Sequence, residues 1–103
     1  MRILIADDHV AFTGMVATLL DYSGICSQVL EANSRESIIE QLDTNGFDLI
    51  IANIKYLPLQ TDTKILAISS WDLPHEARKL GAYMFLRRPV ALGDLIKCLQ
   101  SLQ

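Results

Sequence analysis

Four apolar runs of this chain end in side chains that can do chemistry. Arg2-Ile3-Leu4-Ile5-Ala6 runs into Asp7-Asp8, and Asp48-Leu49-Ile50-Ile51-Ala52 into Asn53-Ile54. Lys64-Ile65-Leu66-Ala67-Ile68 ends in Ser69-Ser70, and Tyr83-Met84-Phe85-Leu86 continues to Arg88-Pro89. Adjacent carboxylates repel each other, and a hard cation such as Mg²⁺ relieves that repulsion. A hydroxyl and a guanidinium on the far side suit a phosphoryl group or another anion. There is no Gly-rich phosphate loop and no nucleophile–base pair, so the residues offer little for an enzyme.

These groups converge only if the elements behind them share one sheet. The runs show no polar alternation, which marks strands buried on both faces of a parallel sheet. Between them lie helical stripes: Phe12, Met15, Val16, Leu19 and Leu20; then Ile38, Ile39 and Leu42; and, at the end, Leu92, Leu95, Ile96, Leu99 and Leu102. Cys26–Ala32 is a further, more polar strand, nearer an edge. Asn33 reads as the cap of the second helix, with Glu36 in the capping-box position. Pro74–Leu80 is a short helix closed by Gly81. Strands alternating with amphipathic helices mean a doubly wound α/β sheet, whose site lies beyond the carboxyl ends of the strands.

One connection is too short. A parallel crossover with its helix needs about 10–12 residues or more. Residues 55–63, Lys-Tyr-Leu-Pro-Leu-Gln-Thr-Asp-Thr, carry a central proline and cannot hold a proper helix. Leu49, Ile51, Leu66 or Ile68 should then lack cover. Tyr56, Leu57, Pro58 and Leu59 are expected to fold over part of the gap, and a partner or second subunit over the rest.

The chain has 103 residues, 50% of them hydrophobic and 20% charged, with 5 Gly and 3 Pro. This fits one domain, 1–103, and excludes a disordered tail. No apolar run spans a bilayer, and Asp7-Asp8 break any signal-peptide reading. Cys26 and Cys98 lack metal-like spacing and read as buried free thiols in a reducing compartment, hence a cytoplasmic protein. A net charge of −3 argues against direct nucleic-acid contact by this domain.

Together these residues resemble the receiver domain of two-component response regulators over nearly the whole chain. The opening Ile3-Leu4-Ile5-Ala6-Asp7-Asp8-His9 is similar to the subfamily that precedes LuxR-type helix-turn-helix domains. The resemblance implies a flavodoxin-like (CheY-like) five-stranded parallel sheet of order 2-1-3-4-5, here with its third helix missing or replaced by a loop. It also implies that Asp7 and Asp8 match the acidic pair that holds Mg²⁺, and Ser69 the hydroxyl position of the phosphate site. Phe85 matches the switch aromatic, expected here as one buried rotamer. Two positions depart from the pattern: Asn53 stands where an aspartate accepts the phosphoryl group, and Arg88 replaces the lysine before Pro89.

A neutral amide cannot form an acyl phosphate. Losing a negative ligand weakens or abolishes the Mg²⁺ site, and an Arg for Lys exchange at a tight site is not conservative. The expectation is therefore an atypical receiver with no resident cofactor beyond weak Mg²⁺. It would act by phosphorylation-independent contact with a protein partner or as a homodimer, in signal transduction or transcriptional regulation. Tyr56, Leu57, Leu59 and Trp71 are the candidate interface residues, although partial burial is the plainer reading of Trp71. Pairing with Asp7, Asp8 or Asp72 is the plainest role for Arg87 and Arg88. Two alternatives remain: a phosphorylatable receiver with another acceptor, and a small-ligand sensor using the vacated acidic pocket.

Overall fold

The buried runs form five parallel strands: β1 (Arg2–Ala6), β2 (Gln28–Ala32), β3 (Leu49–Asn53), β4 (Lys64–Ser69) and β5 (Met84–Arg87). Their order across the sheet is β2-β1-β3-β4-β5. Four helices connect or follow them: α1 (Val10–Ser23), α2 (Arg35–Thr44), α3 (Pro74–Lys79) and α4 (Leu92–Ser101). The computed structural model describes residues 1–24 and 28–102. Cys26, expected in the second strand, lies outside them.

The two-residue period of a strand sorts the sheet into two faces. Ile3, Ile5, Leu49, Ile51, Leu66 and Ile68 point to one side and pack against Phe12, Val16 and Leu20 of α1 and Leu95 and Leu99 of α4. Leu4, Ala6, Ile50, Ala52, Ile65 and Ala67 point to the other and meet Ile38 of α2 and Ala77 of α3.

The β3–β4 link contains one 3-10 turn, Ile54–Tyr56, and no α-helix. The expectation that Leu49, Ile51, Leu66 or Ile68 would lose cover is corrected by the face they occupy. They lie under α1 and α4, not on the side the link crosses. On that other side Tyr56 and Leu57 fold onto the sheet and are only 8% exposed. Two of the strand residues there, Ala52 and Ala67, are small, so the link needs little bulk to close the core. Ile50, Ala52, Ile65 and Ala67 are all buried. Tyr56 and Leu57, expected at an interface, are part of the core on this face. Leu59 is half-buried against the same core.

Ser34, not Asn33, caps α2: Ser34 Oγ accepts from the Ser37 N–H at 3.1 Å. Ser34 has the extended backbone an N-cap requires. Asn33 instead reaches back across the sheet end. Its amide donates to the Asp7 carbonyl at 2.8 Å and to Thr13 Oγ1 at 3.3 Å. Gly24 closes α1 with φ +71 and Gly81 follows α3 with φ +94, left-handed conformations that favour glycine. Cys98 is a free thiol, half-buried on α4, and burial raises its pKa. No helix among the described residues is long and apolar enough to cross a membrane.

Candidate functional site

Parallel pairing in register brings the ends of β1, β3, β4 and β5 to one edge of the sheet. Asp7 stands at its centre, 1% exposed. Its backbone N–H donates to the Ala32 carbonyl at 3.0 Å, which continues the β1–β2 ladder past both strands. Asp7 Oδ1 accepts from the His9 backbone N–H at 2.9 Å. Asp7 Oδ2 accepts from Asn53 Nδ2 at 3.4 Å and is ion-paired with Arg88 Nη2.

Arg88 is held in place from three directions. Its backbone N–H donates to the Ser69 carbonyl at 2.8 Å. Its guanidinium carbon lies 4.1 Å from the centre of the Phe12 ring, in cation–π range. Asp7 takes one terminal nitrogen, while Nε is buried with no hydrogen-bond partner among the described residues. Burial lowers the Arg88 pKa, yet a guanidinium beside a carboxylate stays cationic near neutrality.

Asp8 is half-exposed and paired with Lys55, Nζ to Oδ2 at 2.5 Å. The Lys55 hydrogen bond holds the Asp8 carboxyl below its ordinary value, and the same bond raises the Lys55 ammonium. Lys55 reaches Asp8 because Asn53 shapes the turn: Asn53 Oδ1 accepts from the Lys55 backbone N–H at 3.0 Å. Both ends of the Asn53 amide are therefore used within the protein.

Ser69 is buried and its Oγ accepts from the Trp71 backbone N–H at 3.0 Å. Phe85 is half-buried against the α2/α3 core, less enclosed than the single buried rotamer expected. Trp71 is 72% exposed, against the expectation of partial burial. It follows the end of β4, where the chain has left the sheet.

The structure thus unites Asp7, Asn53 and Arg88 and sets Asp8 beside them through Lys55. It leaves Phe85, Trp71, Tyr56, Leu57 and Leu59 outside the cluster. Lys55 and Asn33 were missed from the sequence. Lys55 had a signal, being a cation two residues past the end of the strand that carries Asn53. Asn33 has the side chain and spacing of a helix cap, and nothing in that pattern points it to the β1 end.

The donor set does not fit Mg²⁺. This ion demands near-octahedral oxygen ligation. The buried carboxylate already serves Arg88, Asn53 and His9, the exposed one serves Lys55, and the third position is an amide with its oxygen engaged. Among the described residues no group of three or more His, Cys, Asp or Glu side chains is placed to hold a metal ion. Lys55 and Arg88 are the internal counter-charges of the two carboxylates.

Strand order, parallel pairing and helix placement define the fold of response-regulator receiver domains. Solved structures bear this out. A CheY-like receiver domain from Methylobacillus flagellatus superposes with a TM-score of 0.83 at 23% identity, covering 100% of this chain and 98% of that one. Chemotaxis response regulator CheY4 of Vibrio cholerae gives 0.82 at 24% identity, covering 99% and 98%. The receiver domain of Francisella response regulator 1452 gives 0.85 at 20% identity, covering 98% and 94%. No family model matches the chain, and no curated protein matches it.

Proposed function

We propose that this chain is an atypical receiver-like domain, not an enzyme, that regulates through protein–protein contact without being phosphorylated. Signal transduction or transcriptional control is the setting implied by the receiver fold and by the LuxR-regulator-like opening residues. A free thiol at Cys98 accords with a reducing, cytoplasmic environment. The net charge of −3 accords with a protein partner and not nucleic acid.

One observation carries this reading. At the acceptor position the Asn53 amide is a structural tie, donating to Asp7 and accepting from the Lys55 N–H. An amide there offers no carboxylate oxygen to attack a phosphodonor. Arg88 and Lys55 occupy electrostatically the place a metal and phosphoryl group would otherwise share. The test is incubation with acetyl phosphate and Mg²⁺ followed by intact-mass measurement. No phosphoryl gain is expected. A gain, mapped to any residue, overturns the reading in favour of another acceptor.

A further inference from the structure

A groove of about 390 Å³ runs beside the first turns of α1. Small-molecule sites span about 300–1,000 Å³, so it has room for a small ligand. Its apolar lining is Ala11, Phe12 and Met15 of α1 with Pro89 and Val90 after β5. Three polar side chains complete it: His9, Ser70 and Arg88. Each follows the end of a strand, His9 after β1, Ser70 after β4 and Arg88 after β5. The polar members therefore gather at the sheet edge, and the apolar ones extend from it along α1.

Three observations give that polar end one sign. No carboxylate lines the groove. Arg88 has five N–H donors and no acceptor. Asp7 takes one terminal nitrogen, and Nε has no partner among the described residues. The Arg88 side chain keeps 21% exposure, whereas Asp7 is 1% exposed and does not reach the groove. Finally, α1 starts here with no side-chain cap from His9 and no acid in its first turn. The positive end of its dipole is uncompensated at the same place.

We propose that this groove binds a small organic acid. Its carboxylate is held by Arg88, Ser70 and the start of α1, and its apolar body lies against Phe12, Met15 and Val90. Charge complementarity selects the head. A guanidinium, a hydroxyl, an imidazole and free helix N–H groups can all donate to a carboxylate, and an amine would meet a cation there. The lining selects the body, because a bare inorganic anion would leave five apolar residues untouched. The site differs from the ion-paired sheet edge itself, whose carboxylates are already occupied. This inference goes beyond the proposed function by giving the domain a small-molecule input, and it does not rest on the loss of phosphorylation.

Titration with 4-phenylbutyrate, followed by backbone amide NMR of the native chain, tests it. Saturable shifts are expected at Ala11, Met15, Ser70 and Val90, with a Kd on the order of 1 mM for so small a probe. The amide 4-phenylbutyramide keeps the body and loses the charge, and it should bind at least about tenfold more weakly. Butyrate keeps the head and loses the ring, and it should not saturate by ~10 mM. Ala11→Glu sets a carboxylate beside the head position. An acid in the first turn complements the helix dipole, so this variant should melt no lower than the native chain while losing the shifts. The proposal is overturned by the absence of a saturable shift with 4-phenylbutyrate, by equal binding of the amide or of butyrate, or by shifts that survive Ala11→Glu. The two probe comparisons use the native chain and decide the matter even if the variant fails to fold.

Discussion

Arg88 and Asp7, far apart in sequence, form an ion pair at the centre of the sheet edge, with the guanidinium resting on the Phe12 ring. Asp7 follows β1 and Arg88 follows β5, so the pair reaches across β3 and β4 at the carboxyl ends of the strands.

Removing Arg88 should therefore be costly to the fold. Arg88→Met leaves the buried Asp7 carboxylate without its counter-charge. A fully buried broken pair costs ~3–5 kcal/mol, and about 2–3 kcal/mol is expected here because Arg88 retains some exposure. Urea unfolding should show that loss, and the double change Asp7→Asn with Arg88→Met should recover most of it. A single variant as stable as the native chain would show that the pair holds nothing together.

The Lys55–Asp8 pair predicts a pH signature instead of a large stability effect. Asp8 titrates below its ordinary 3.8 in the folded chain, so its share of stability is present above the unfolded value and is lost as pH falls through the folded one. Lys55 is raised above 10.5, so its share is present below that value and is lost as pH rises through the folded one. Both side chains are exposed, which keeps these shares small. Carboxyl NMR of Lys55→Met should move the Asp8 midpoint upward, and an unmoved midpoint would disprove the contact in solution.

Tyr56 replaces the packing of an absent helix. Tyr56→Ala should open a cavity over Ile50 and Ala52 and cost about 3–4 kcal/mol, in the range of buried aromatic deletions. Apolar dye binding should appear at the same time, because Tyr56 is the one aromatic ring that the link lays on that sheet face. Retained stability with no dye binding would mean that Leu57 and Leu59 suffice.

Ser34→Ala should cost about 1 kcal/mol by removing the α2 cap. Asn33→Ala should act elsewhere, loosening Thr13 and the Asp7 backbone, which amide exchange at the start of α1 would register. Helix-terminal exchange changing only in the Asn33 variant would restore Asn33 as the cap.

The sheet was legible because fully buried strands leave continuous apolar runs, and the convergence of Asp7, Asn53 and Arg88 followed from where those runs stop. Face assignment was not. Leu49 and Ile50 are equally apolar, and only the observed pairing shows that Leu49 lies under α1 and α4 while Ile50 meets Tyr56. The Asn33 and Ser34 caps are chemically equivalent candidates, separated only by the reach of Asn33 to Asp7. The Asp8–Lys55 pair depends on a turn shaped by the Asn53 side chain, a contact that no periodicity records.

The most direct measurement follows backbone amide NMR shifts of Asp7, Asn53, Ser69 and Arg88 while Mg²⁺ and beryllofluoride, a phosphoryl mimic, are titrated together. A site closed by its own cations predicts no saturable shift at these amides in the native chain. A saturable, mimic-dependent shift there would contradict the account, because it would show the sheet edge still able to accept a metal and a phosphoryl group.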